Sequence, residues 1–455
     1  MRDPVQLLTL IALLVIGATL LWEHTLQIAL FAVVLAAVLD CLWGWVGINV
    51  GIMLWADDVT CLVLLLAGAI VLLRKGRLPG SSSSPALMIV AVLILNLVRG
   101  AIDFGLQPAG NSSRTLGYLI IPAVAWLMLQ PEARVDSQRL ARWLRTLGCM
   151  WTLFALCRWA GLLPMFQAPG EFREVPRALS GEDAMLVGQS LLAAVYLQFF
   201  YGVTFWNTTL TVVLTAVTIA LQHRSVWAAT FVACLWLVAS SLRSSQKRWL
   251  QLAAATCIGL TLAIIALSVT TGGIDRTVSL VKANLDETRQ DNSTWNWRVR
   301  GFYEAMDRLF SGDAFEIMFG PPSGSLRFGA AELELGLSGA SVLIHNRYVH
   351  TLAYYGAVGG MSLLMWLGAV AMKIGSWTGP GSGEGPQTRL GAVFLQALLL
   401  SQLTYFVPYS GGLIQGNILA LIWLAAEAPS CGVRRKKQSS RLSPSYQVHE
   451  LHTRL

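Results

Sequence analysis

Long apolar runs separated by short polar segments dominate the chain, and this alternation limits what it can fold into. Of its 455 residues, 55% are hydrophobic and only 13% are charged, and its mean hydropathy is +0.58. Soluble domains carry about a quarter of their residues as charged ones, so these values predict an all-α polytopic membrane protein. An apolar run of about 20 residues can cross a bilayer as a helix. The candidate runs are residues 5–22, 25–46, 58–73, 86–104, 116–130, 147–163, 185–200, 210–222, 225–240, 249–269, 348–374, 390–406 and 413–426.

Some of these runs are short, paired or re-entrant, so we predict about twelve transmembrane helices. The chain divides into four regions on this basis. Residues 1–270 hold about ten spans, each roughly 20 residues long. Residues 271–344 form a large polar loop with amphipathic helices. Residues 345–428 hold the last spans, and residues 429–455 are a basic tail.

Basic residues cluster near positions 74–77, 134–145, 243–248 and 434–437. Because positively charged loops stay on the cytoplasmic side, these clusters predict a cytoplasmic tail and an outer position for loop 271–344. Residues 167–184 and the turn at His223 and Arg224 fall on the same outer side. The mixed charges of residues 167–184 predict a solvated, salt-bridged loop, and the orientation before position 74 stays open. The net charge of +8 belongs to such loops, so no nucleic-acid partner is expected.

Arginines on the predicted outer side are unusual, because the same rule predicts few basic residues there. A guanidinium near membrane depth is costly and normally has a partner or a function. Snorkelling to lipid headgroups, or pairing with Asp103 or a helix carbonyl, would explain any single one of them. Arg224 is the most constrained, since two apolar runs join there with almost no linker. The set is Arg99, Arg158, Arg224, Arg298, Arg300 and Arg347.

Within the large loop, residues 295–310 carry apolar and aromatic side chains at helical spacing. This spacing predicts an amphipathic helix that lies against the membrane or the bundle. Arg298 and Arg300 lie two residues apart and do not share a helix face, so we expect one of them to enter a site. The turn GPPSG at 320–324 then redirects the chain.

Residues 344–360, IHNRYVHTLAYYGAVGG, join this loop to an apolar run. An imidazole such as that of His345, with an unperturbed pKa of about 6.5, can take a proton from a hydroxyl at neutral pH; an ordinary interfacial histidine is the alternative. Gly356 and Gly360 form a GxxxG pair, which predicts close approach of a neighbouring helix. His350 is deeper and is expected to pack or hydrogen-bond within the bundle.

The spacing in this stretch resembles the signature H-[NSQ]-x9-G-x-x-[GTY] of bacterial O-antigen ligases. His345 and Asn346 are followed after nine residues by Gly356, and after two more by Gly359. The number of spans, the late large loop and the position of Arg224 are similar to those of the wider O-antigen ligase and polymerase superfamily.

The loop also carries a family-like pattern, in which an arginine is followed four residues later by an aromatic and then by a glycine-rich turn. Arg298, Phe302 and the turn FGPPSG match it, which is why Arg298 is preferred to Arg300. Phe302 stands where the family often has a tryptophan.

The resemblance implies a GT-C-like protein of the bacterial inner membrane, with residues 271–344 as a periplasmic loop and the active site facing the periplasm. It implies transfer of O-antigen from undecaprenyl pyrophosphate to a sugar hydroxyl of lipid A-core in lipopolysaccharide biosynthesis. The partners are therefore the lipid-linked donor, the lipid A-core acceptor and membrane lipids. His345 is the predicted base. The predicted donor-pyrophosphate ligands are Arg224, Arg298, Arg300 and Arg347, and the predicted packing residues are Asn346, Gly356, Gly359 and Gly360.

Metal-independent chemistry without a cofactor is predicted from the residue types. Guanidinium forks bind phosphate oxygens in a bidentate way and can replace a divalent cation. In the outer loops no carboxylate cluster with metal-ligand spacing stands out, and the seven cysteines form no CxxC pair. Two other functions stay open: an O-antigen polymerase of the same superfamily, and a transporter of a lipid-linked glycan. The histidine–glycine pattern favours the ligase.

Overall fold

The computed structural model describes residues 24–43, 47–49, 53–75, 84–130, 132–133, 135–166, 177–202, 204–241, 257–259, 261, 265, 294–325, 346–377 and 386–427. These ranges contain thirteen α-helices with described bounds and one β-hairpin. The predicted runs at 5–22 and most of 249–269 lie outside them. The mostly helical fold agrees with the prediction.

The helix bounds follow the apolar runs, with extensions into polar residues at several ends. The hairpin pairs β1 (Gly47–Asn49) with β2 (Met53–Trp55) in antiparallel register, and it is a departure from an all-helical chain within the described residues. The helices are α1 Thr25–Trp43, α2 Ala56–Lys75, α3 Ser84–Phe104, α4 Leu106–Leu129, α5 Ser137–Trp159, α6 Gly181–Tyr201, α7 Phe205–Ala220, α8 Arg224–Ser241, α9 Thr294–Phe310, α10 Ala314–Phe319, α11 Arg347–Gly375, α12 Pro386–Tyr405 and α13 Leu413–Glu427.

Six of the described helices are long and apolar enough to cross a membrane. They are α1, α2, α3, α4, α6 and α11, and α7, α8 and α13 are shorter apolar helices. A hydrocarbon core of about 30 Å needs roughly 20 residues of helix, which each of the six supplies or nearly supplies. This set of helices indicates a helical membrane protein.

Helix α6 is the centre of the bundle, because all of residues 183–199 are buried. A helix that is apolar on every side is enclosed by neighbours, and here these are α5, α7, α8 and α12. Its polar side chains are paired inside the bundle: Ser190 Oγ donates to the Leu144 carbonyl at 2.6 Å, and Gln198 Nε2 donates to Thr211 Oγ1 at 2.8 Å. These buried hydrogen bonds hold α6 to α5 and α7.

Successive helices run in opposite directions, so their ends collect at two ends of the bundle. At one end, called the basic end here, Arg74 lies 3.7 Å from Glu132 and Lys373 lies 3.2 Å from Glu427. The described residues of two basic clusters, at 74–75 and 135–145, lie at the basic end, where α2 ends and α5 begins, and their cytoplasmic position stays a prediction.

The opposite end is called the acidic end because Asp57, Glu182 and Asp183 lie there. Hydrogen bonds join helix ends at this place: Arg158 of α5 to Cys41 of α1, His223 before α8 to Leu179 before α6, Arg347 of α11 to Gly411 before α13, and Gln415 of α13 to Glu182 of α6.

Gly416 shows how closely the helices approach each other. A Cβ atom at this position would lie 2.2 Å from the Tyr118 carbonyl oxygen and 2.9 Å from the Leu119 Cα atom. Small residues at such crossings allow helix backbones to touch within a membrane. Helices α4 and α13 are packed in this way.

We expect Gly416→Ala to destabilise the protein, because the added methyl group forces α13 away from α4. Overpacking of this kind costs about 1–3 kcal/mol and should lower the midpoint of thermal unfolding in detergent. Gly368→Ala is the matched control, since a Cβ atom at that helical position meets nothing within 4 Å. Equal midpoints for the two variants would contradict the close packing of α4 and α13.

Candidate functional site

The predicted signature begins at the first turn of α11. Asn346 is the N-cap of this helix, and its Oδ1 accepts a hydrogen bond from the Val349 N–H at 3.1 Å. Asparagine is among the best N-cap residues because its short side chain reaches these otherwise unpaired N–H groups. Asn346 thus fixes the start of α11. His345, the predicted base, lies outside the described residues.

Arg347 is buried at this turn, with no exposed surface. Its Nη1 donates to the Thr115 carbonyl at 2.9 Å, and its Nη2 donates to the Gly411 carbonyl at 2.6 Å. Its backbone N–H donates to the Phe406 carbonyl at 2.9 Å. The guanidinium therefore joins α11 to α4 and to the α12–α13 connection. In this structure Arg347 presents no surface to a pyrophosphate, contrary to the prediction.

The Glu182 carboxyl lies near this guanidinium, in the first turn of α6. Its carboxylate accepts a hydrogen bond from the Gly412 N–H, and its backbone carbonyl accepts one from Gln415 Nε2 at 3.2 Å. The start of α6 is thus connected to the start of α13. Residues 167–184 are predicted to be a solvated loop, but the structure places Glu182 within a helix in the bundle.

Asp183 and Arg158 form a second buried polar group next to Glu182. Asp183 is buried and accepts a hydrogen bond from Trp151 Nε1 at 2.6 Å. Arg158, 4% exposed, donates to the Ala178 carbonyl at 2.6 Å and to the Cys41 carbonyl. Helix carbonyls were one of the partners expected for the outer arginines, and Arg158 uses one at the end of α1.

Arg99 and Asn96 on α3 hold the segment that contains the GPPSG turn. Asn96 Nδ2 donates to the Phe319 carbonyl at 2.5 Å and to the Tyr354 carbonyl at 3.2 Å. Arg99 Nη1 donates to the Gly320 carbonyl at 2.9 Å. These bonds satisfy carbonyl groups at the end of α10 and in α11. Sequence reasoning did not identify Asn96, although an amide inside an apolar run is itself a signal of an internal partner.

Gly356 interrupts α11, with φ 64° and ψ −170°. Only glycine adopts this region without strain. A Cβ atom would lie 2.5 Å from the Met318 carbonyl carbon and 2.6 Å from the Gly320 backbone nitrogen. Because Gly356 has no side chain, residues 318–320 can pack directly against the backbone of α11.

The close approach of a neighbouring helix predicted for the GxxxG pair is present at Gly356, where the end of α10 meets α11, but not at Gly360. The atom nearest to a Cβ at Gly360 is Leu352 Cδ1 of the same helix, at 3.1 Å. At Gly359 the nearest atom is Tyr355 Cβ, at 2.5 Å, also within α11. The break at Gly356 explains this change, because a helix that bends there does not keep one glycine face along its length.

Arg224 is exposed and is the first residue of α8. The preceding residue, His223, is buried, and its Nε2 donates to the Leu179 carbonyl at 3.0 Å. Burial, together with the positive charge of Arg177, lowers the pKa of His223 to about 3. His223 is neutral, and it positions Arg224 at the acidic end beside the start of α6.

Helix α9 confirms the amphipathic helix predicted for residues 295–310. Its buried residues Ala305 and Leu309 are 2% and 5% exposed, and the helix packs against α11. Arg298 and Arg300 lie in its first two turns, and their side chains are outside the described part of the structure. Which of the two enters a site stays a prediction.

His350 has an unusual environment among the buried side chains of α11. It is completely buried and stacks on Tyr354 with 4.4 Å between ring centroids. Neither ring nitrogen has a hydrogen-bond partner among the described residues. The expected packing is present, and the alternative of hydrogen bonding is not seen in this part of the chain.

A cavity of about 180 Å³ lies between α9, α10, the GPPSG turn at 320–324 and α11. Its polar lining can donate to and accept from hydroxyl groups through Arg308, Glu316 and Ser325. In the described ranges no group of three or more His, Cys, Asp or Glu side chains is placed to hold a metal ion. Metal-independent chemistry stays a prediction.

No protein-family model matches the chain, and no curated protein matches its sequence.

We expect Arg347→Lys to destabilise the fold. A single ammonium group cannot reproduce the planar fork that donates to the Thr115 and Gly411 carbonyls, and a buried acceptor without a partner costs about 1–3 kcal/mol. The midpoint of thermal unfolding in detergent should fall. Arg142 is exposed at the basic end, so Arg142→Lys should leave the midpoint unchanged. Equal midpoints for the two variants would show that the hydrogen bonds of Arg347 do not stabilise the fold.

Acidification should destabilise the protein partly through His223. Its pKa is about 3 in the folded protein and about 6.5 in an unfolded chain, so the unfolded state binds more protons below pH ~6.5. The contribution of neutral His223 to the free energy of unfolding is complete above that pH and declines as the pH falls towards 3. At pH ~5 the loss is about 2 kcal/mol. His223→Gln, which does not titrate and can still donate to Leu179, should show a smaller loss of unfolding midpoint between pH ~7.5 and ~5. An equal loss would contradict this assignment.

Proposed function

We propose that the protein is an O-antigen ligase of the bacterial inner membrane. It transfers O-antigen polysaccharide from undecaprenyl pyrophosphate to a sugar hydroxyl of lipid A-core, at the periplasmic face, as a step of lipopolysaccharide biosynthesis. The observation that carries the proposal is the signature His345-Asn346-x9-Gly356-x-x-Gly359, together with the place of its described residues at the acidic end of the bundle.

The structure gives a physical reason for three signature positions, and these reasons support the proposal. Asn346 caps α11, Gly356 adopts a positive φ against residues 318–320, and Gly359 leaves room for Tyr355 beside the break. His345 directly precedes Asn346 in the chain, and the resemblance assigns it the role of the base.

The exposed arginine at the acidic end supports an anionic donor. Arg224 is exposed at the N-terminus of α8, where unpaired backbone N–H groups and the helix dipole also favour negative charge. Arg298, and Arg300 as its alternative, belong to α9, which packs on α11. Arg347 is assigned to holding the fold and not to binding the donor.

In the proposed reaction the acceptor hydroxyl oxygen attacks the anomeric carbon of the donor glycan. The bond from that carbon to the pyrophosphate oxygen breaks as the new glycosidic bond forms, and undecaprenyl pyrophosphate leaves. The hydroxyl proton passes to His345, and Arg224 and Arg298 stabilise the charge that develops on the leaving group. A single displacement of this kind inverts the anomeric configuration and uses no metal ion.

The proposed architecture has about twelve transmembrane helices in a GT-C-like arrangement, with residues 271–344 as a periplasmic loop. Six candidate spans, three shorter apolar helices and the alternating helix directions support it. The cavity lined by Arg308, Glu316 and Ser325 also supports a hydroxyl-rich substrate. This cavity and the break at Gly356 both border the GPPSG turn.

Deleting the gene should remove all O-antigen from lipopolysaccharide and leave the core intact, as resolved on a gel. A core that carries one repeat unit would instead identify a polymerase, and unchanged lipopolysaccharide would exclude both enzymes. His345→Ala should not restore the ladder, and its ligation rate in vitro should fall by about 100-fold or more, as loss of a general base does.

Arg224→Ala should also lose most of the ligation rate, with an unchanged unfolding midpoint, because Arg224 is exposed. Arg142→Ala is the matched control, since this arginine is exposed at the basic end. Chelation of divalent cations should leave the full ligation activity of the wild-type protein, because the proposed reaction uses no metal ion.

A wild-type ligation rate in the His345→Ala variant would exclude His345 as the base.

A further inference from the structure

Helix α9 and the short α10 expose large apolar side chains outside the site described above. On α9 these residues are Phe302, Tyr303 and Phe310, which are 37%, 66% and 66% exposed. On α10, Phe315 and Met318 are 45% and 46% exposed. We call these five residues the aromatic face. An apolar surface of this extent normally has a partner.

The surface of α9 is divided into three sectors at about 100° per residue. Ala305 and Leu309 occupy the sector packed on α11, with the partly exposed Phe302 beside Leu309, and Tyr303 and Phe310 occupy the next sector. The third sector is polar and consists of Glu304, Asp307 and Arg308. A helix with separate protein, apolar and polar sectors suits a boundary between lipid and water.

The aromatic face is continuous with the exposed side of a candidate membrane span. The Phe315 ring lies 4.7 Å from the Arg99 guanidinium carbon on α3. Ile102, one turn further on the same side of α3, is 78% exposed, and Val98 is 52% exposed. Because α3 is one of the six helices suited to crossing a membrane, its exposed apolar side contacts lipid, and the aromatic face extends that side.

We propose that α9 and α10 lie in the plane of the bilayer interface at the acidic end, with the aromatic face among the phospholipid acyl chains. The polar sector of α9 then faces water, and Arg99 lies at headgroup level, where a guanidinium and aromatic rings both find partners. The partner is therefore a phospholipid bilayer and not a second protein. This inference does not rest on the proposed enzymatic activity.

The test places an environment-sensitive fluorescent amino acid at position 303, 310 or 307 through an amber codon, in an otherwise unchanged chain. The proteins are reconstituted into phosphatidylethanolamine–phosphatidylglycerol vesicles, with or without phosphatidylcholine brominated on its acyl chains. Size-exclusion elution and the unfolding midpoint verify that each labelled protein is folded. Position 310 keeps the test valid if the label at 303 prevents folding.

At 303 and 310 we expect blue-shifted emission and several-fold stronger bromolipid quenching than at 307, which lies in the polar sector. Blue-shifted emission without bromolipid quenching would mean that protein covers the face, and it would overturn the proposal. Water-like emission at 303 and 310 would overturn it as well, because the face would then be solvated.

Discussion

The burial of the Arg347 guanidinium is the constraint on which the acidic end depends. A charge with no exposed surface must be compensated by hydrogen bonds and by a nearby opposite charge. The Thr115 and Gly411 carbonyls accept hydrogen bonds from the guanidinium, and the Glu182 carboxyl lies near it. Helices α4, α6, α11 and α13 therefore share one arrangement around this group, and none can shift without leaving part of it unpaired.

The outer arginines form two classes in this structure. Arg99, Arg158 and Arg347 donate to backbone carbonyls and connect segments distant in sequence, whereas Arg224 is exposed at a helix N-terminus. The anomaly in the charge distribution thus has mostly a structural explanation. An anionic substrate at this end would meet Arg224 and the arginines of α9, next to a scaffold whose own arginines donate to backbone carbonyls.

Hydrophobic patterning predicted the six described helices that can cross a membrane and the amphipathic α9, because each depends on local composition. It did not predict the partners of Arg347 or Asn96, since these are backbone carbonyls, which every residue has and no pattern marks. The role of Gly356 depends on its positive φ and on residues 318–320, which approach it from another part of the chain. Sequence predicted the close approach of a helix at this glycine, which α10 makes, but not the positive φ or the turn that follows α10.

Asn96 links the structure to the order in which the chain is synthesised. Its amide donates to Tyr354, 258 residues later in the chain. Its other acceptor, the Phe319 carbonyl, is 223 residues later, whereas the bond from Arg99 Nη1 to its oxygen lies within α3. At about 5–20 residues per second, synthesis reaches these two acceptors on the order of tens of seconds after α3 is made, so the amide N–H groups gain these native partners only when α10 and α11 are in place.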